Sequence, residues 1–264
     1  MVKYGILVIS HGSRSADWVR LVDEAVDAVR LPAGVPIYSS FLEIVEGRLI
    51  QDGITHLESL GCTDLVVVPL FVSSGSTHID EISYALGVKD APLLPTDMER
   101  FEIRARVHFA APMDDDAEVA EILQGKAGPL SADPSREILL LVGHGSIEKG
   151  FHLQWRRVLE GLAARMKALG GYAEADYAML LPDQVPFKMR LWKKRRPDCS
   201  VIVAPVFLSE GYFTREVIPE RLAGWEYRYN GAAMLPHGGI PRWIERRALS
   251  HMGVGTTINF ETNG

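Results

Sequence analysis

The stretch Ile6-Leu-Val-Ile-Ser-His11-Gly-Ser-Arg14 recurs later in the chain as Leu139-Leu-Leu-Val-Gly-His144-Gly-Ser-Ile147. Each copy is a continuous apolar run that ends in His-Gly-Ser. An apolar run of this length is typical of a strand buried on both faces of a parallel sheet. Residues just beyond the carboxyl ends of such strands line the ligand crevice, so both histidines are predicted to occupy functional positions.

A second pair of similar segments extends the repeat. The run from Leu65 to Gly75 is echoed by the run from Val201 to Gly211, and each contains Pro, Phe and Ser at matching places. His144 lies 133 residues after His11, and Pro205 lies 136 residues after Pro69. This regularity favours two copies of one domain. A stretch dense in Gly, Pro and Ser predicts a linker at 126–136, between domains at 1–125 and 137–264.

Apolar periodicity alternates between strand and helix throughout both halves, which predicts an α/β fold with parallel sheets. The predicted strands are 5–10, 36–42, 64–71, 103–109, 137–142, 174–181, 200–207 and 228–235. The predicted helices lie near 15–29, 47–60, 79–87, 115–124, 149–169, 184–196 and 214–223, with a last helix from Pro241 and an irregular tail from Gly253.

Composition and charge exclude several classes of function. No apolar run among the 264 residues is long enough for a membrane span or a signal peptide, so we expect a cytoplasmic protein with no membrane partner. The net charge of −6 argues against nonspecific binding to nucleic acid. It divides into −10 for residues 1–126 and +4 for residues 127–264. Isolated Cys62 and Cys199 are expected to be free thiols.

Two histidines of the first half are predicted to meet at one edge of the sheet. His11 follows the first strand, and His78 follows the glycine and serine loop after the third. Two imidazoles make a poor structural zinc site but a plausible open metal site, and they can also accept protons near neutral pH. The second half has Tyr212-Phe213-Thr214 at the corresponding loop, so we expect no metal at His144.

Polar groups near this edge have two interpretations. Glu43 and Glu46 follow the second strand, either as an acidic pair at a helix start or as functional carboxylates. The loop 73–77 offers hydroxyl and N–H groups either for helix capping or for an anionic ligand.

The combined motifs resemble the class II chelatases of the CbiX/SirB type, which insert a divalent metal into sirohydrochlorin. The resemblance depends on His11-Gly-Ser-Arg14, the Phe41-Leu-Glu43 segment with Glu46, the run from Val68 to Gly75 with His78, and Glu81-Ile82. The duplication extends it over nearly the whole chain. It implies two chelatase-like α/β domains that face each other across a cleft holding the tetrapyrrole, with the active site in 1–125.

The resemblance also implies roles for individual residues. His11 would be the catalytic proton acceptor and a metal ligand, and His78 the second metal ligand. Substrate contacts would come from Glu46, Val72, Ser73, Ser74, Gly75, Ser76 and Thr77. The family usually places its second histidine two residues after the loop glycine. Thr77 occupies that place here, and His78 follows it.

The implied substrates are sirohydrochlorin and a divalent ion, Co²⁺, Fe²⁺ or Ni²⁺, with no organic cofactor and no ATP. Both the sirohaem and the cobalamin pathway stay open. Arg215 and Arg221 are candidates for contacts with the eight carboxylates of the tetrapyrrole. The duplication leads us to expect a monomer.

Two other functions are consistent with parts of the sequence. A tetrapyrrole or metal carrier would use the same groups without catalysing insertion. A histidine phosphatase also presents His-Gly after a first strand, but it needs an arginine just before the histidine. Ser10 and Gly143 stand at those two places.

Overall fold

The computed structural model describes residues 2–253, and its first half contains a four-stranded parallel sheet. The strands are β1 (Tyr4–Ser10), β2 (Ile37–Phe41), β3 (Asp64–Pro69) and β4 (Arg106–Phe109), in the order β2-β1-β3-β4. The helices are α1 (Ala16–Asp27), α2 (Ile50–Ser59), α3 (Thr77–Ala85) and α4 (Ala117–Ala127). Near-continuous burial of β1 and β3 explains their unbroken apolar sequences.

The second half repeats this plan with a three-stranded parallel sheet. Its strands are β5 (Glu137–Gly145), β6 (Glu174–Leu181) and β7 (Ser200–Pro205), in the order β6-β5-β7. The helices are α5 (Lys149–Gly170), α6 (Val185–Arg195), α7 (Ile218–Arg221) and α8 (Gly239–His251), and a π-helical turn at Phe213–Val217 leads into α7. The predicted fold class, two duplicated parallel-sheet halves, is confirmed.

The predicted strand at 228–235 is wrong. Arg228 pairs with β7 through its backbone, but Gly231 then adopts a left-handed conformation with φ of 70° and turns the chain. Met234 and Leu235 afterwards donate backbone hydrogen bonds to Phe207 and Leu208, which lie beyond the end of β7. The segment therefore follows the edge of the sheet without forming a strand.

The two sheets share one layer of helices. The inner faces of both sheets form a single apolar core with α1, α4, α5 and α8, while α2 and α3 cover the outer face of the first sheet and α6 and α7 that of the second. The last helix of each half crosses to the other half: α4 packs on α5 and β7, and α8 packs on α1 and β3. Fully buried Trp243 of α8 is part of this shared core.

Polar contacts fasten the exchanged helices. Arg246 of α8 contacts Asp116 and Glu118 at 2.7 and 2.8 Å, and Arg247 contacts Asp116 at 3.0 Å. The Asp116 side chain also caps α4 by accepting a hydrogen bond from the Glu118 backbone. One carboxylate therefore caps the start of α4 and binds α8.

Short 3₁₀ turns at Gly128–Leu130 and Pro134–Arg136 connect α4 to β5, within the segment predicted as the linker.

Cys62 and Cys199 are free thiols. In residues 2–253, none of the helices has the length and apolar character required to cross a bilayer. Beyond the turn at Gly253, the predicted irregular tail lies outside the described residues.

Candidate functional site

The strand order places one candidate site at the same point of each sheet. In the first sheet, β2 lies on one side of β1 and β3 on the other, so the chain reverses its direction of winding between β1 and β3. His11 follows β1, and the loop leading to His78 follows β3. In the second sheet, His144 is the penultimate residue of β5, and the loop leading to Phe213 follows β7. Such reversal points are the usual ligand sites of parallel sheets.

Both reversal points open into one cleft with a volume of about 570 Å³. This volume is in the range that small-molecule ligands occupy in proteins. The first half contributes residues 11–13 and 70–78 except Ser74, together with Trp18. The second half contributes residues 144–148 and 206–214, together with Trp155 and Leu181. No lysine or arginine is among the described residues that line the cleft.

The rings of His11 and His78 lie next to each other in this cleft. Their centroids are 5.0 Å apart and their planes meet at 74°. Both side chains are partly exposed, with 43% of His11 and 38% of His78 accessible. Since an imidazole nitrogen binds a first-row metal ion at about 2 Å, the two rings are near enough to share one ion.

Hydrogen bonds fix which nitrogen of each ring is free. His11 Nδ1 lies 3.2 Å from the carbonyl oxygen of Gly12, and His78 Nδ1 lies 3.1 Å from Oε2 of Glu81. A carbonyl or carboxylate oxygen only accepts, so Nδ1 carries the hydrogen in both rings. Nε2 of each histidine is then the nitrogen with a free lone pair.

Carboxylates stand behind both imidazoles. Glu43 Oε1 lies 3.7 Å from His11 Nδ1, and the other oxygen of Glu81 accepts a hydrogen bond from the Thr96 hydroxyl at 3.1 Å. Within residues 2–253, no three or more His, Cys, Asp or Glu side chains are grouped to enclose a metal. An ion placed between the two rings would have two imidazole nitrogens within reach and its other coordination positions open.

The glycine after each strand-end histidine is required by its surroundings. Gly12 has φ of 100°, and an added Cβ would lie 2.1 Å from the carbonyl oxygen of Glu43. Gly145 has φ of 79°, and an added Cβ would lie 2.4 Å from the carbonyl oxygen of Leu181. Only glycine fits a left-handed turn in such close contact with backbone. Both halves thus use the same turn to hold the preceding histidine.

The second half repeats the ring geometry with a different side chain. His144 and Phe213 have centroids 5.0 Å apart, as His11 and His78 do, and planes at 88°. Phe213 also stacks on Phe207 at 5.6 Å, where His78 lies 6.5 Å from Phe71. In space Phe213 therefore corresponds to His78, although it stands two residues after its loop glycine and His78 stands three after Gly75.

The loop between β3 and α3 lines the cleft with every predicted contact residue except one. Val72, Ser73, Gly75, Ser76 and Thr77 line the cleft. Ser74 turns away from it: its hydroxyl accepts a hydrogen bond from Gln154 of α5 at 2.7 Å, and its N–H donates to Asp114 at 2.7 Å. Burial raises the pKa of the Asp114 carboxyl. Ser74 thus fastens the loop to the second half.

Several other predicted contacts lie outside the cleft. Glu46 is exposed and lines a separate surface depression together with Ser13 and Arg14, and its role as a substrate contact stays a prediction. Arg215 and Arg221 pair with Glu210 at 3.4 Å and with Asp183 at 3.5 Å, and neither lines the cleft.

The contact between Glu43 and His11 is not predictable from the sequence motifs alone. Glu43 is brought to the ring by a turn in which Ile44 has φ of 73°, a conformation rare for a β-branched residue. The signal available in the sequence was the position of Glu43 directly after β2.

Comparison with protein families gives one match that covers both halves. The pattern of the family described as CbiX matches residues 5–128 and again residues 138–251. A curated relative, the sirohydrochlorin cobaltochelatase of Methanothermobacter thermautotrophicus, is 27% identical over 86 residues, which are 33% of this chain. The match spans 59% of the length of that relative.

Solved structures share the fold over the full length. SirB from Bacillus subtilis with Fe³⁺ superposes with a TM-score of 0.72 at 18% identity, covering 98% of this chain and 100% of SirB. The sirohydrochlorin chelatase SirB from Bacillus subtilis subspecies spizizenii in complex with cobalt gives 0.70 at 18% identity, covering 96% and 97%. At this level of identity the likeness shows a common architecture.

Proposed function

The chain belongs to the CbiX family, since that family's pattern matches both halves, and from this premise we propose that it is a sirohydrochlorin chelatase. It would insert Co²⁺ or Fe²⁺ into the tetrapyrrole, in the cobalamin or the sirohaem pathway. The observation that carries the proposal is the pair of imidazoles in the cleft, His11 and His78, with Nε2 free on both. The name of the curated relative and the titles of the SirB structures support the choice of substrate.

The first task of the site is to hold an ion weakly. Two imidazole nitrogens donate to the ion, and water fills its remaining positions. Glu81 and the carbonyl of Gly12 hold the Nδ1 hydrogens, which orients both rings and makes Nε2 a better donor. Four ring nitrogens of a tetrapyrrole can then replace two imidazoles and the waters. Ni²⁺ suits the same donor set and remains a third candidate.

The second task is to place the macrocycle against the ion. The inner cleft is mainly apolar, with Phe71 and Trp18 on the first wall and Phe207 and Phe213 on the second. A flat aromatic ring system fits between such walls, because its faces are apolar and its edge is charged. The charged edge then lies at the solvent-exposed mouth, where Glu46 and Arg14 are near Ser13 of the rim.

The third task is to remove protons from the pyrrole nitrogens. His11 can accept a proton at Nε2 once the ion has left it, and Glu43 at 3.7 Å stabilises the resulting imidazolium. No organic cofactor and no ATP enter this scheme. A phosphatase is disfavoured, because the described lining of the cleft contains no arginine or lysine to bind a phosphate group.

The proposal is tested by anaerobic absorption spectroscopy of sirohydrochlorin with Co²⁺, Fe²⁺ and Ni²⁺ in turn. Substrate is present in at least twentyfold excess over protein, and uncatalysed insertion is measured without protein. We expect many equivalents of metallated product per protein with at least one ion. One equivalent or less with every ion would identify a carrier and overturn the proposal.

A further inference from the structure

The second wall of the cleft contains a histidine that the proposed metal chemistry does not use. His144 lies at the carboxyl end of β5, as His11 lies just beyond that of β1, and it lines the same cleft. Its Nδ1 lies 3.1 Å from the carbonyl oxygen of Gly145, which matches the contact between His11 and Gly12. Since a carbonyl only accepts, Nδ1 of His144 carries the hydrogen, and Nε2 is a free proton acceptor.

The surroundings of His144 make it a poor metal ligand. The ring next to it is Phe213, which has no donor atom, whereas the ring next to His11 is the imidazole of His78. A lone imidazole binds a divalent ion weakly. Nε2 of His144 is therefore a proton acceptor in a fixed position, and it lies where no second ligand is present to hold the ion.

Metal insertion requires a base that removes protons from the pyrrole nitrogens. The free tetrapyrrole carries two N–H protons and the metallated ring carries none, so each turnover releases two protons. While the ion approaches one face of the ring, a base on that face competes with the ion for the same nitrogens. A base on the opposite face can take a proton without obstructing the ion.

We propose that His144 is a second catalytic base, which removes one pyrrole proton from the face of the tetrapyrrole opposite to the metal. All three histidines line the one cleft, His11 and His78 from the first half and His144 from the second, and the proposal places the tetrapyrrole between these two walls. Nε2 of His144 takes one N–H proton and leaves its electron pair on the ring nitrogen for the entering ion. The second proton goes to His11 after the ion has moved to the ring. This inference depends on the proposed chelatase function.

The test compares His144→Ala and His144→Phe with the wild-type protein under the conditions of the insertion assay. The phenylalanine variant keeps an aromatic wall and removes only the base. Phe213→Leu is the matched control, since it alters the same wall without removing a base. Three quantities are measured: kcat for insertion, KM for sirohydrochlorin, and Kd for Co²⁺ without tetrapyrrole from its d–d spectrum.

We expect both His144 variants to lose about 100-fold in kcat while Kd for Co²⁺ stays within twofold of wild type. Imidazole added to the buffer should restore part of the rate to His144→Ala, which leaves room for it, and not to His144→Phe. Phe213→Leu should change mainly KM. Circular dichroism confirms that each variant is folded.

Two results would overturn the inference. If His144→Phe keeps the wild-type kcat, then the residue serves only as part of the wall. If either variant loses Co²⁺ affinity tenfold or more, then His144 is a metal ligand. Failure of the underlying function is recognised separately, because the wild-type protein would then produce no more than one equivalent of product.

Discussion

At the scale of single residues, the two imidazoles of the first wall differ in what stands behind them. Glu81 holds His78 Nδ1 through a hydrogen bond of 3.1 Å, whereas Gly12 holds His11 and Glu43 lies farther away at 3.7 Å. His78 is thus oriented by the Glu81 carboxylate, which also accepts a hydrogen bond from Thr96. His11 has the Glu43 carboxylate near enough to stabilise a positive charge on its ring. This difference fits the proposed roles, in which His78 is only a metal ligand and His11 is a metal ligand that also accepts a proton.

Replacing His11 should remove metal binding and activity without unfolding the protein. We expect His11→Ala to abolish insertion, with a loss of at least 100-fold in kcat/KM and of at least tenfold in Co²⁺ affinity, because one of the two proposed metal ligands, whose rings lie 5.0 Å apart, is gone. The ring is partly exposed, so the fold should persist. Activity is followed by absorption, metal binding by Co²⁺ titration and folding by circular dichroism. Wild-type insertion by the folded variant would contradict the assigned role.

The two glutamates after β2 make a matched pair. We expect Glu43→Gln to lower kcat tenfold or more, because the imidazolium of His11 loses the carboxylate at 3.7 Å. Glu46→Gln should leave kcat nearly unchanged and raise KM for sirohydrochlorin at most a fewfold, since Glu46 lies in the neighbouring depression. Steady-state measurement of kcat and KM for both variants shows which glutamate assists His11. The reverse order of effects would favour Glu46 as the functional carboxylate.

The sequence alone indicates the two histidines, but it does not show whether Glu43 or Glu46 lies nearer to them. His11 and His78 follow two apolar strands of one half, and adjacent parallel strands necessarily bring such residues to one edge. The position of Glu43 depends on Ile44 in a left-handed conformation, which no propensity predicts. The shift of the second histidine by one residue was visible, but only the ring distance of 5.0 Å shows that the loop accommodates it.

At the scale of elements, the start of β5 is where the connecting segment is tied to the second sheet. Glu137 is buried and accepts hydrogen bonds from the backbone of Ala132 and Asp133 at 2.8 and 2.9 Å, and from Ser131 and Arg228 at 2.5 and 2.6 Å. Burial alone would raise the pKa of Glu137, but these hydrogen bonds outweigh it and lower the pKa to about 2. One carboxylate thus secures the turn, the strand and the edge segment.

This contact predicts an acid-sensitive contribution to stability. The pKa of Glu137 is about 2 in the folded protein and 4.5 when unperturbed, so its stabilisation is complete above pH 4.5 and is lost as pH falls toward 2. At pH 7 we expect Glu137→Gln to lower the free energy of unfolding by about 3 kcal/mol. Denaturant unfolding at pH 7, 4 and 3 should show this difference shrinking.

The control for this experiment is Glu174→Gln. Glu174 is half-exposed and pairs with Lys167 at 2.7 Å, so its removal should cost less than about 1 kcal/mol at pH 7. An equal loss in the two variants, or a difference for Glu137→Gln that persists unchanged at pH 3, would contradict the prediction.

The sequence predicted most elements but not their partners. Burial periodicity shows which face of α4 or α8 is apolar and does not show which sheet receives it, so the exchange of these helices became visible only in three dimensions. The false strand at 228–235 has a similar cause. Its apolar residues follow the sheet edge, but Gly231 divides them.

At the scale of the whole molecule, the floor of the cleft is a contact between the two halves. An added Cβ on Gly75, in the loop that leads to His78, would lie 2.7 Å from the carbonyl oxygen of Phe151 and 2.8 Å from the backbone nitrogen of Trp155. Both atoms belong to α5. The hydrogen bond from Gln154 to Ser74 reinforces the same contact. The position of His78 therefore depends on the second half.

Gly75→Ala should accordingly impair both stability and substrate binding. The new methyl group meets backbone that cannot move aside, so we expect a loss of about 2 to 3 kcal/mol in unfolding free energy. We also expect KM for sirohydrochlorin to rise at least tenfold. Gly150→Ala in the same helix is the control, because nothing lies within 4 Å of its added Cβ. If both variants behave like wild type, close packing of Gly75 on α5 is not required for stability or for substrate binding.

The crossing of α4 and α8 decides what would follow if the backbone were cut. A protease that cleaved between residues 128 and 136 would leave two fragments, each with its final helix embedded in the other. Such fragments should stay associated and complement each other, and either one alone would expose apolar surface that its counterpart normally covers. The histidine pair therefore cannot be excised as a minimal enzyme, although every atom of it belongs to the amino-terminal fragment.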